Sequence, residues 1–159
     1  NFIICRFCDI LGYMSETYAD NRKARFEYEI LDTYDAGMEL VGSEVKSIKA
    51  KKVRIEGSHV IVLHGECFIL GMHVDSYSVG DAGLDVMRTR KLLLSKKEIG
   101  EIEDKLSTKG LTAVPLSLYS RNRLIKIKIA IARGKKLHDK REVLKKRDID
   151  RSIRREYSS

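Results

Sequence analysis

Tryptophan is absent, proline occurs once, at Pro115, and no uninterrupted apolar run approaches the roughly 20 residues that a membrane-spanning helix needs. One proline and 11 glycines also exclude a collagen-like or low-complexity chain. The three cysteines, Cys5, Cys8 and Cys67, form no even framework, which disfavours a disulfide-stapled secreted domain and leads us to expect a reducing, cytoplasmic setting. Signature strings are missing too. There is no G-x-G-x-x-G, Walker or G-x-S-x-G pattern to cradle a phosphate or activate a serine. His64-Gly65-Glu66 supplies the H-x-E half of a zinc deaminase pattern, but Leu116 follows Pro115 where the other half requires cysteine. Cys5-x-x-Cys8 has no second pair, and His59, His64, His73 and His138 are scattered, so neither a metal nor another cofactor is expected. No catalytic set assembles, and the expectation is a protein that is not an enzyme.

What is present is a chain of 159 residues, 43% hydrophobic, sufficient for one modest core. Its net charge of +8 is segregated: residues 121–159 carry 15 basic and 5 acidic side chains, whereas residues 1–120 carry 16 and 18. The excess cation therefore belongs to the C-terminal quarter and points to phosphate backbones or other polyanions as partners.

Strand periodicity dominates from Phe26 onward. Phe26, Tyr28 and Ile30 alternate with Glu27, Glu29 and Leu31, Asp35-Ala36-Gly37 reads as a turn, and Met38 and Leu40 read as a second strand. Val45 and Ile48 give residues 43–49 the edge of a short helix. The runs 59–63 and 67–74 read as a hairpin across His64-Gly65-Glu66, and residues 76–87 as a loop. Ser95-Lys96-Lys97-Glu98 has capping-box spacing, and Ile99, Ile102 and Leu106 supply the stripe of the helix that follows. Residues 112–119 are strand-like, with Pro115 marking an edge or a bulge. Ile125, Ile127, Ile129 and Ile131 then alternate with Lys126, Lys128 and Ala130 in the plainest strand of the chain.

About six short strands in hairpin order, without strand–helix alternation, imply a mainly β fold. We expect a closed or nearly closed antiparallel barrel of the oligonucleotide-binding type with short flanking helices. The expected organisation is a disordered extension over 1–20, with Met14 as initiator, a barrel over 21–133 and a basic tail over 134–159. That tail has too little apolar surface to order itself alone. A signal sequence is the rival reading of residues 1–13, but Arg6 and Asp9 interrupt it. Basic clusters at Asn21-Arg22-Lys23-Ala24-Arg25 and Arg88-Thr89-Arg90-Lys91, with Lys135-Lys136, Lys140-Arg141 and Lys145-Lys146-Arg147 in the tail, form an electrostatic footprint for nucleic acid. Charge alone does not separate RNA from DNA.

Several stretches together resemble the small protein B family, the protein partner of transfer-messenger RNA in bacterial ribosome rescue. They are residues 21–30 (NRKARFEYEI), Asp35-Ala36-Gly37, residues 42–47 (GSEVKS), Arg90-Lys91-Leu92-Leu93-Leu94, residues 111–116 (LTAVPL) and residues 134–141 (GKKLHDKR). The resemblance runs in order from Asn21 into the tail. It implies a barrel that grips the tRNA-like domain of transfer-messenger RNA, and a tail placed in the empty messenger channel of a stalled ribosome, where it becomes helical beside ribosomal RNA of the decoding region. The resemblance puts Asn21, Asp35 and Leu93 at positions the family uses for RNA binding; with Arg22, Lys23, Arg25, Glu44, Lys46, Arg88, Arg90 and Lys91 they make up the expected RNA-binding set, acting in a monomer. Those implied to meet the ribosome are Lys135, Lys136, Asp139, Lys140, Arg141, Lys145, Lys146 and Arg147. Asp35 stands where the family usually has glutamate, and Phe26 where histidine is common. Two other readings stay open: a structural ribosomal or assembly protein, and an RNA-directed enzyme using Glu44 or Asp35 as acid or base.

Overall fold

The computed structural model describes residues 16–76 and 85–136. Nine strands and three helices follow one another there: β1 Thr17–Asp20, α1 Arg22–Glu27, β2 Tyr28–Met38, α2 Gly42–Lys49, β3 Val53–Arg54, β4 His59–Leu63, β5 Glu66–Leu70, β6 His73–Val74, β7 Arg90–Leu93, α3 Lys96–Ser107, β8 Leu111–Arg121 and β9 Leu124–Gly134. Strands β8, β4, β5, β7, β2 and β9 form an antiparallel ring that closes through β8–β9, while β1 joins the free part of the β8 edge. The ring is nearly closed. Its slackest seam is β4–β8, held in register at Val60 and Ala113 alone.

The alternation in β9 is what builds the interior. Ile127, Ile129 and Ile131 are fully buried and meet Ala36, Cys67, Ile69, Leu92 and Leu118 inside the ring. Burying each isoleucine contributes about 1.5–3 kcal/mol before ordering entropy is subtracted. The opposite face of β8 and β9 is covered as well, because Val114, Leu116, Ala130 and Ala132 pack beneath Ala24 of α1 and Tyr28. Helix α3 begins as its capping box requires: the Ser95 side chain accepts from the Glu98 amide and the Glu98 carboxylate accepts from the Ser95 amide. Its stripe places Ile102 in the main core. Lys105 pins it to β2, donating to the Tyr34 hydroxyl at 2.7 Å and pairing with Asp32 at 3.0 Å.

Several expectations are corrected by tertiary packing. The barrel starts at Thr17 rather than Asn21, since β1 pairs with β8 and buries Tyr18 in the core. Phe26 lies on α1, not on a strand. Asp35-Ala36-Gly37 is no turn but the interior of the continuous 11-residue β2. Gly37 serves close approach there: a Cβ at this position would stand 3.3 Å from Leu93 Cβ. The buried face of α2 is Glu44, Ser47 and Ile48, rotated away from Val45. The run 67–74 is split by Gly71 at φ +75°, so that β5 continues the ring and β6 pairs with β3 in a separate two-stranded ribbon. Pro115 marks a bulge in β8, where the register to β9 shifts between Pro115 and Ser117. The turns His64-Gly65 and Asn122-Arg123 have both residues at positive φ, matching the twist of the hairpins they close. Among the described residues no helix is long and apolar enough to cross a membrane.

Candidate nucleic-acid interface

The first basic cluster forms the short helix α1, and its leading residue is buried. Asn21 is 3% exposed. Its Oδ1 accepts from the Ala24 amide at 2.9 Å as the helix cap, and its Nδ2 donates to the Pro115 carbonyl at 3.0 Å, fastening α1 onto the β8 bulge. Arg22, Lys23 and Arg25 point to solvent, steadied by acidic neighbours: Arg25 meets Asp20 at 3.1 Å, Arg22 meets Asp20 at 3.8 Å and Lys23 meets Glu27 at 3.9 Å. At these exposures such pairs contribute little to stability and remain available to an incoming phosphate. The end of β9 arrives at the same corner. The Lys135 amide donates to the Glu27 carbonyl at 2.9 Å and its ammonium to the Arg25 carbonyl at 3.4 Å, so the root of the basic tail, with exposed Arg133 and Lys136, adjoins α1.

The second basic cluster divides. On β7 the side chains of Arg90 and Leu92 enter the core, while Lys91 and Leu93 face out. Arg90 is 0% exposed and Glu44 is 4% exposed, so neither presents its charge to solvent as expected from the sequence; they are internal partners. Arg90 Nε donates to Glu44 Oε1 at 2.8 Å, and its Nη1 to the carbonyls of Met72 at 2.7 Å and Arg88 at 2.9 Å. Arg88 clasps the same carboxylate from the rim, with Nε on Oε1 at 3.0 Å and Nη2 on Oε2 at 2.7 Å. Burial works against ionisation of Glu44, but the Arg88 bonds, the Val41 amide and the Arg90 charge outweigh it and hold the carboxyl below its ordinary range. A carboxylate so engaged is ionised and committed to internal partners. Lys91 is outward and paired with Glu66; Lys46 is exposed on α2.

Asp35 and Leu93, far apart in sequence, meet on one outer face. Gly37 pairs with Leu93 on one side and with Lys126 on the other, and Asp35 pairs with Lys128. Leu93 lies over Gly37 and is 53% exposed, an unusual position for a leucine in a short inner strand. The Tyr119 hydroxyl donates to Asp35 Oδ1 at 2.8 Å; burial, then that bond, push the phenol up to about 12. Lys128 stands 3.9 Å from the same oxygen. Lys126, Lys128 and Tyr119 thus join the face although the sequence reading did not select them. Their signal was present: the two lysines alternate with the isoleucine stripe, so they had to lie outside the ring.

The face and the α1 corner occupy opposite ends of the β2–β9 pair. Asp35 is seven residues from Tyr28 along β2, or about 23 Å at strand rise. Among the described residues no group of three or more His, Cys, Asp or Glu side chains is placed to hold a metal ion. Cys5 and Cys8, and the tail positions Asp139, Lys140, Arg141, Lys145, Lys146 and Arg147, lie outside the described residues.

Comparison with known proteins gives one family. The model of the family described as SmpB protein matches residues 18–159. An SsrA-binding protein of Gloeothece citriformis is 46% identical over 138 residues, covering 86% of this chain and 89% of its own length. One from Nostoc punctiforme is 44% identical, covering 93% and 96%. Among solved structures, a chain described under "tmRNA-SmpB: a journey to the center of the bacterial ribosome" is 44% identical with a TM-score of 0.64, covering 75% of this chain and 85% of that one.

Proposed function

The chain belongs to the SmpB family, and from that premise we propose that it binds the tRNA-like domain of transfer-messenger RNA and brings it to stalled ribosomes in trans-translation. The observation that carries the reading is the outer face on which Asp35, Leu93, Lys126 and Lys128 converge. It combines an exposed leucine, two cations and a fixed carboxylate, a set that grips a folded RNA by shape and phosphate contact rather than by reading a duplex groove. Arg22, Lys23, Arg25 and Lys135 supply a second electrostatic contact at the far end, and Lys46 on α2 and outward-facing Lys91 on β7 add two further cations. Asn21, Glu44 and Arg90 serve by holding the elements that carry these side chains. Arg88, half-buried at the rim, belongs to both groups.

The protein acts in the cytoplasm, as a monomer and without chemistry of its own. Its tail from Lys135 and Lys136 through Asp139, Lys140, Arg141, Lys145, Lys146 and Arg147 enters the empty messenger channel of the small subunit. Charge supports that placement: the tail follows directly from a strand end that is anchored beside α1. Retrieving the full chain from cell lysate and sequencing the RNA it holds tests the first half. One dominant small stable RNA is expected, whereas intact ribosomal RNA alone would assign the chain to the ribosome's permanent structure. Scrambling residues 137–155 at constant net charge tests the second half. RNA binding should persist while peptide tagging on stalled ribosomes drops sharply, and full tagging would reduce the tail to a nonspecific tether.

A further inference from the structure

The Glu44 carboxylate is spent entirely inside the protein. It accepts from Arg88 through both oxygens, from Arg90 through Oε1 and from the Val41 amide through Oε2 at 2.9 Å. Its two arginines spread that hold outward. Arg90 grips the carbonyls of Met72, Val86 and Arg88, and Arg88 reaches the Glu39 carbonyl at 3.4 Å. One side chain on α2 thereby fixes the segment after β2, the junction of β5 and β6, the 85–88 turn and the first residue of β7.

Resting on the RNA-binding reading above, we infer that Glu44 is a positioning residue for the RNA-contacting face: it sets where Leu93 stands without touching RNA itself. Strand β7 pairs with β5 through Arg90, Lys91 and Leu92, but Leu93 has no partner there and is held only by the two-residue ladder to Gly37 and Met38 of β2, so its own end of the strand is the weakly fixed one. Leu93 lies over Gly37, whose missing side chain leaves it room, so where β7 sits decides where Leu93 stands on the face. Neither guanidinium can shed its proton. If the carboxylate is neutralised, the buried Arg90 and the rim-lying Arg88 confront each other as uncompensated cations and must separate, and the backbone of Arg90 is where β7 begins. Apolar replacements often stabilise a buried site as well as an ionic cluster does, and the attested use of such clusters is to fix one register.

The test uses the full chain and a transcript of the tRNA-like domain, with binding measured over a range of salt well below the melting temperature. Glu44→Gln should remain folded by circular dichroism and lose tenfold or more in affinity, with the slope of log K against log salt unchanged because no phosphate-contacting cation is gone. Added to Leu93→Ala, it should cost less than a further threefold, since both act through one strand. Normal affinity in the folded variant overturns the inference, as does a flattened salt slope or an equal loss in both backgrounds. If Glu44→Gln does not fold, Glu44→Asp, which withdraws the carboxylate by one methylene, takes its place with the same readings. Leu93→Asp separates the premise from the inference. A folded Leu93→Asp protein that binds normally removes the face and overturns both, whereas weakened Leu93→Asp with unaffected Glu44 variants overturns the inference alone.

Discussion

Two basic stretches that look alike in sequence have opposite fates. Asn21-Arg22-Lys23-Ala24-Arg25 becomes a surface helix whose three cations face solvent, with Arg22 92% exposed at its side chain. Arg88-Thr89-Arg90-Lys91 enters a barrel strand, where alternation sends Arg90 inside with Leu92 and Lys91 outside. The difference lies in the periodicity of the element, not in the residues. A helix of six residues laid on the outside of a sheet can turn its charged side outward, whereas a ring strand must give every second side chain to the interior. Once inside, Arg90 is tolerated only because Glu44 and three backbone carbonyls use its donors.

Breaking the buried half of this contrast should have the largest effect. Arg90→Met leaves the carbonyls of Met72 and Val86 without that donor and is expected to cost about 3–5 kcal/mol in urea unfolding. Lys91→Met on the same strand should stay within about 0.5 kcal/mol. The buried pairing also gives stability an acid limb. The folded-state pKa of Glu44 lies below its ordinary 4.5, so the unfolded chain takes up the proton first as pH falls. Glu44's contribution is therefore complete above about pH 4.5 and is lost as the pH drops through the lower folded value; melting curves of the protein and of Glu44→Gln across that range should converge.

On the other cluster, Asn21→Ala should cost about 1–2 kcal/mol, because it removes the α1 cap and leaves the Pro115 carbonyl unpaired. Ser95→Ala at α3 should cost about 1 kcal/mol as a cap lost at a more exposed site. The smallest change in stability, under about 0.5 kcal/mol, is expected for Arg22→Gln with Lys23→Gln, since their ion pairs are exposed and long. That double variant should instead lower the salt slope of RNA binding, by up to about 0.7–0.9 for each cation that neutralises a phosphate. An unchanged slope would take α1 out of the interface.

Much of the fold was legible. The isoleucine alternation of β9, the capping box of α3 and the hairpin about His64-Gly65 are local patterns, and local patterns survive folding when nothing competes with them. The misreadings share one cause. Gly37 looked like a turn because glycine commonly serves turns, yet here its missing side chain makes room for Leu93, a residue 56 positions away. Thr17–Asp20 offered only Tyr18 as a large apolar side chain, too little to announce a strand that exists by pairing with β8. Asn21, Glu44 and Arg90 look like surface residues because polar side chains usually are, yet all three are buried. Two signals pointed inward: Glu44 is four residues from Ile48 on α2, and Arg90 is two residues from Leu92 on β7.

By itself, the sequence determined the mainly β class, the ring strand built on Ile125 to Ile131, the start of α3, the family and the separation of a near-neutral body from a basic tail. Each follows from residues adjacent in the chain or from their order along it. Only the tertiary structure decided which charges are available. It buried Arg90 and Glu44, set Lys126 and Lys128 beside Asp35 and Leu93, and joined α1 to the root of the tail through Glu27 and Lys135. Those outcomes depend on register between strands distant in sequence. A shift of one residue in any of those strands exchanges its inner face for its outer one, and no pattern confined to a single segment fixes that register.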